Sequence, residues 1–191
     1  AMLGIVVAVG MVVGLLISIF LVAPLQVGCY RWYILNRTTN PPMGELLNSF
    51  RNGYFNTAKI MFCMGLYTTL WSLLFIIPGI IKAYEYSMIP YLLAENPNMS
   101  KQEAFAISKE LMDGNKFNAF VLDLSFILWN FVGALALGLP GVFFVNPYVQ
   151  LTNVELYVKL CQIRAERHNS TYNQDYNQNF NQNDFSGYTQ V

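Results

Sequence analysis

The opening run, AMLGIVVAVGMVVGLLISIFLVA from Ala1 to Ala23, contains no charged residue. As a helix rising about 1.5 Å per residue it is long enough to cross a hydrocarbon core of about 30 Å. Further apolar runs follow at Ile60 to Ile77, Phe117 to Leu137 and Val142 to Val158. With 54% hydrophobic and 12% charged residues among 191, the chain reads as a membrane protein rather than a soluble domain. Its formal net charge is zero, so nothing in the balance points to nucleic acid. The start at Ala1, inside an apolar run and without a cationic segment before it, looks less like a signal peptide than like a chain whose beginning has been removed.

Interruptions set the expected topology. Pro24 kinks or ends the first helix, and Tyr30, Arg31, Trp32, Tyr33 and Arg37 mark a membrane interface, cytoplasmic by its cations. Gly10 and Gly14 form a G-x-x-x-G that could admit a second helix. After Asn40-Pro41-Pro42, the stretch from Glu45 to Asn56 suits a short amphipathic helix in the interface plane. The next apolar run meets Pro78-Gly79. If the chain turns there and returns through Ile80 to Ala94, then Arg31, Arg37, Arg51, Lys59, Lys101, Lys109 and Lys116 all fall on one face, as short loops prefer. Lys82 and Glu85 would then form an exposed i, i+3 pair near the outer surface, worth little.

Asn96-Pro97 breaks the chain again, and Ser100 three residues before Glu103 forms a capping box for an amphipathic helix that Gly114 ends. A second hairpin follows, with its tip at Pro140-Gly141 and Lys159, Arg164 and Arg167 at its inner end. The two hairpins resemble a loose internal repeat: Gly53 or Gly114, an apolar run with Trp71 or Trp129, a Pro-Gly tip, then Pro90-Tyr91 or Pro147-Tyr148. From His168 the composition becomes Asn, Gln and Tyr, with too little aliphatic content for a core. The expected organisation is therefore a membrane-embedded helical domain over 1–167 and a disordered tail over 168–191. The expected fold is all-α, a multi-pass bundle of about five spans, with four as the alternative, built from Pro-Gly-tipped hairpins and interfacial amphipathic helices.

Polar residues inside apolar runs are the candidate functional groups. Asp123, in FVLDLSFILW, costs about 2.5–3.5 kcal/mol at a helix centre on insertion scales. It is either a proton- or cation-linked site or a carboxylate bonded to a neighbouring helix. Asn146, Gln150 and Asn153 recur at i, i+4 and i+7 and share one helix face, which should meet protein or a wet cavity. Cys29, Cys63 and Cys161 have no paired spacing for metal or redox work, and His168 is the only histidine. No nucleophile with its base, paired carboxylates or metal cluster is visible, so neither an enzyme nor a cofactor is expected.

The string LLFIIPGIIK, YSMIPYLLAENP, EAFAISKELMDG, FVLDLSFILW and NPY resembles the bacterial integral membrane family catalogued as domain of unknown function 975, over about Gln26 to Tyr157. The resemblance implies a multi-pass membrane protein with no agreed activity. Members carry a further basic segment and apolar helix before the part matching Ala1 to Ala23, which would make three hairpins with both termini inside. The expected role is a non-enzymatic accessory or scaffold for assembly, export or protection of membrane components, with the cationic loops and the tail cytoplasmic. The expected partners are the lipid bilayer and either a membrane protein or a second copy of the chain. The alternative is a small permease with a polar path around Asp123, Asn146, Gln150 and Asn153.

Overall fold

The structure, a computed structural model, describes residues 2–135 and 146–186. Among these residues the chain is all-helical: α1 (Met2–Ile17), α2 (Ala23–Asn36), α3 (Asn48–Arg51), α4 (Tyr54–Leu74), α5 (Ile76–Tyr86), α6 (Ile89–Glu95), α7 (Lys101–Met112), α8 (Lys116–Leu135) and α9 (Asn146–Ser186). The expected tip Pro140-Gly141 lies outside the described residues. α9 runs past the expected boundary at 167/168 and into the Asn/Gln-rich segment as far as Ser186.

Pro24 does not end the first helix. It lacks an N–H and its ring crowds the carbonyl four residues back, that of Phe20. The chain widens into a π turn over Ser18–Val22 and continues as α2. Tyr54 at the start of α4 donates its hydroxyl to the freed Phe20 carbonyl at 2.7 Å. Tyr54→Phe is expected to destabilise the fold by about 1–2 kcal/mol, since that carbonyl loses its partner. Thermal unfolding in detergent, read against Phe55→Leu on an exposed neighbour, checks this.

The first hairpin is present, but its apex is not Pro78-Gly79. Phe75 is extended, at φ −155° and ψ 137°, and ends α4. Pro78 then occupies the first turn of α5, where a missing N–H costs nothing. Gly79 instead permits close packing: a Cβ there would lie 2.5–2.9 Å from Ser72 atoms of α4. The return arm breaks again at Ser87 and Met88 before α6. The expected amphipathic helix from Glu45 to Asn56 is likewise divided, into a 3-10 turn (Met43–Leu47), α3, and the first residues of α4. Gly53 at φ 66° separates α3 from α4.

The core gathers around α6, whose residues Ile89 to Ala94 are all buried. Val27 of α2, Ile60 and Met61 of α4, Ala104, Leu111 and Met112 of α7, Ala119 of α8, and Val154, Tyr157 and Leu160 of α9 close over it. The Ser100 cap of α7 forms as expected, its Oγ accepting from the Glu103 N–H at 3.2 Å. The apolar face of α7 is therefore spent inside the fold and is not free for docking. Among the described residues Gly4, Gly10 and Gly14 have nothing within 4 Å of where a Cβ would stand, so the G-x-x-x-G packs against none of them.

One helix among the described residues, Ser18–Asn36, is long and apolar enough to cross a membrane, and it lies near the N-terminus. The all-α expectation holds among the described residues, but in place of about five spans one candidate span is found there. The breaks at Phe75 and Ser87-Met88 leave α5 at 11 and α6 at 7 residues, each too short to span, while α4, long enough at 21 residues, is diluted by Asn56, Thr57 and Lys59 in its first turns.

Candidate functional site

Three polar clusters arise where the helices meet. The first corrects the sequence reading of Lys82 and Glu85. Their i, i+3 spacing does bring them together, with Lys82 Nζ 2.5 Å from Glu85 Oε2. The Glu85 side chain, however, is only 6% exposed. Its other oxygen accepts from Lys116 Nζ at 2.6 Å, at the start of α8. Ser108 of α7 donates to the Glu85 backbone carbonyl at 2.7 Å. Lys82 also stands 5.7 Å from the centroid of Trp71 and 6.0 Å from that of Tyr86, within cation–π range. Glu85 is a buried anion joining α5, α7 and α8, not an exposed pair.

The second cluster lies one residue away. Tyr84 donates its hydroxyl to Asp123 Oδ2 at 2.8 Å, so the α8 carboxylate is bonded to a neighbouring helix. Both residues line a cavity of about 200 Å³ together with Tyr30, Tyr91 and Asn153. Tyr30 and Tyr91 lean on one another, ring centroids 4.3 Å apart, and Tyr91 stacks on Tyr157 at 5.4 Å. Of the four residues proposed for a polar path, Asp123 and Asn153 share this cavity. Asn146 is exposed, and Gln150 is half-buried with an Oε1 that finds no hydrogen-bond partner among the described residues. The amide stripe is real as helix geometry, but of its three members Asn153 alone lines the cavity with Asp123.

The third cluster ties together the ends of the helices. Arg31 reaches Glu45 Oε2 at 2.8 Å and the Ala94 carbonyl at 2.9 Å, neutralising the C-terminal end of α6. Arg37 grips both oxygens of Glu155, at 2.5 and 2.9 Å. Tyr157 donates to Glu95 at 2.7 Å, and Glu110 of α7 is held by Arg164 at 2.9 Å and His168 at 2.7 Å. The sequence reading placed these cations on one face and the structure brings α2, α6, α7 and α9 together there. Apart from Glu45, 14 residues from Arg31, the partners lie 54 to 118 residues away, which is why spacing does not reveal them. The i, i+4 spacing of Arg164 and His168 was the available signal.

Burial opposes ionisation of Glu110, but the hydrogen bonds from His168 and Arg164 outweigh it and hold the carboxyl below its usual range. A carboxyl depressed on folding stabilises the fold above its unfolded pKa of about 4.3 and loses that contribution as pH falls through the folded value. Glu110→Gln is therefore expected to lower Tm near pH 7, with the gap to the parent protein closing below about pH 4. A gap constant with pH would contradict this assignment.

Among the described residues no group of His, Cys, Asp and Glu is arranged to hold a metal ion, and the three cysteines are half-buried thiols. A family model described as "Protein of unknown function (DUF975)" matches residues 2–164. No curated protein and no solved structure matches the chain.

Proposed function

We propose that this chain, which belongs to the DUF975 family of proteins of unknown function, is a non-enzymatic multi-pass membrane protein that serves as an accessory or scaffold for assembling, exporting or protecting other membrane components. The supporting observation is how apolar exposure is distributed. Thr57, Ala58, Ile60 and Met61 in the first half of α4 are buried, whereas Leu70, Leu73 and Leu74 at its far end are 60–84% exposed. Phe75, Ile76 and Ile77 are 66–75% exposed, and burial returns along α5 at Gly79 and Glu85. α1 likewise presents Met2, Val6, Val9 and Met11, and α8 presents Val121, Leu124, Ile127 and Leu128. At about 25 cal/mol per Å² such surface is costly in water, and its extent calls for lipid or protein cover.

In this reading α1 and α2 form one crossing, the hairpin of α4 with α5 and α6 two more, and α8 and α9 the last two. The cation-rich helix ends and the tail lie in the cytoplasm. Partner contact then falls to the outer face of α7, where Gln102, Glu103 and Lys109 are exposed, and to the tail. Crosslinking in living cells from a tagged full-length chain, followed by mass spectrometry, tests the role. A recurrent near-stoichiometric protein partner that is lost on reversing the charges of Glu103 and Lys109 is expected. Self-crosslinks alone would overturn it. They would favour a second reading, a solute path, for which the shared cavity of Asp123 and Asn153 is the specific observation. Solute uptake abolished by Asp123→Asn but indifferent to loss of the tail would establish that reading.

A further inference from the structure

The cavity between α2, α5, α6, α8 and α9 joins Asp123 and Asn153, on which the solute-path reading rests, to three tyrosine rings that neither reading uses. It combines one carboxylate, one amide and three tyrosine rings, contributed by Asp123, Asn153, Tyr30, Tyr84 and Tyr91. Among the described residues Asp123 accepts a single hydrogen bond, from a neutral phenol, and no cationic side chain stands within ion-pair distance of it. The nearby lysines, Lys82 and Lys116, are both taken by Glu85. A half-buried anion with no cationic partner, beside aromatic rings, is suited to a positively charged guest. Tyrosine rings present negative faces to a cation, and a weakly hydrated organic cation gives up its water more readily than a metal ion.

Size narrows the class. About 200 Å³ is somewhat more than the ~150 Å³ that accommodates benzene, and below the ~300 Å³ where drug-sized sites begin. We infer that this cavity binds a small organic ammonium ion, with Asp123 as counter-ion, the tyrosines as its aromatic wall and the Asn153 amide as a further polar contact. Binding requires neither a protein partner nor transport, so it stands or falls apart from both readings above.

The test is calorimetric titration of the purified full-length chain in detergent with choline. The control is its neutral isostere, in which a quaternary carbon replaces the nitrogen. Saturable choline binding at least about tenfold tighter than that of the isostere is expected. Asp123→Asn should lose at least about tenfold in choline affinity. Tyr84→Phe keeps the ring while releasing the carboxylate, and should bind choline within about threefold of the parent or more tightly. Equal binding of the isostere, absence of saturation, or displacement by equimolar potassium would each overturn the assignment. The ligand comparison decides the matter even if Asp123→Asn does not fold.

Discussion

Replacing both Lys82 and Lys116 by Met is expected to destabilise the protein by about 3–5 kcal/mol, well beyond the sum of the single changes. Glu85 has a side chain 6% exposed and two cationic partners, at 2.5 and 2.6 Å. After either single change the carboxylate keeps one ammonium, so each is expected to cost about 1 kcal/mol or less, the lysines being 24% and 30% exposed themselves. With both gone, an anion is left among apolar helices without compensation, and breaking a buried pair in this way is far more costly than never having built one. Glu85→Gln on the double background should recover much of the loss, because a neutral amide removes the uncompensated charge. Unfolding in detergent by heat or by added denaturing surfactant measures the cycle. Strict additivity of the two single changes would show that Glu85 is solvated and would return the pair to the exposed status that its spacing alone suggests.

Gly28→Ala is expected to cost about 3 kcal/mol or more. Gly28 is buried on α2, and a Cβ there would overlap the backbone carbonyl of Leu46 in the 3-10 turn. A side chain could swing aside, but a backbone carbonyl fixed in a turn cannot move without displacing that turn. The same substitution at Gly65, inside α4 with nothing within 4 Å, should be neutral or stabilising by about 0.5–1 kcal/mol, since alanine restricts the unfolded chain. Melting temperatures of the two variants in one detergent compare them directly. Similar small effects at both positions would mean that the Met43–Leu47 turn does not rest on α2.

How far the sequence revealed these features depended on how local their causes are. The Ser100 cap, the Asn96-Pro97 break and the hairpin itself were legible, because each follows from a few adjacent residues. The hairpin apex was displaced by several residues because Pro-Gly suits two situations, a turn and the first turn of a helix followed by a close approach. Here the second holds: Pro78 costs no hydrogen bond and Gly79 lets Ser72 come near. Gly53 and Gly114, paired in the sequence as marks of a repeat, are the two glycines with positive φ among the described residues, and each comes shortly before a long apolar helix. That part of the repeat is local and reappears in three dimensions.

Glu85 and the tyrosines were misread for the opposite reason. Nothing near Glu85 in sequence signals Lys116, 31 residues on, so a spacing argument could find only Lys82. Asp123 and Asn153 stood out because polar groups in apolar runs are conspicuous. Tyr30 stood out as an interface marker and Tyr91 as part of the Pro-Tyr repeat, and Tyr84 carried no signal of its own. Only the packing of α2, α5 and α6 makes them walls of one cavity.

That the hairpin of α4 with α5 and α6 crosses the bilayer is our central proposal, and cysteine labelling tests it most directly. In a chain with Cys29, Cys63 and Cys161 changed to Ser, single cysteines would be placed at Phe75, the apex of the hairpin, and at Gln102 on the exposed face of α7. The account predicts that a membrane-impermeant maleimide added to intact cells labels position 75 and reaches position 102 only after lysis. Labelling of both positions only after lysis would contradict it, because the hairpin would then not cross the bilayer.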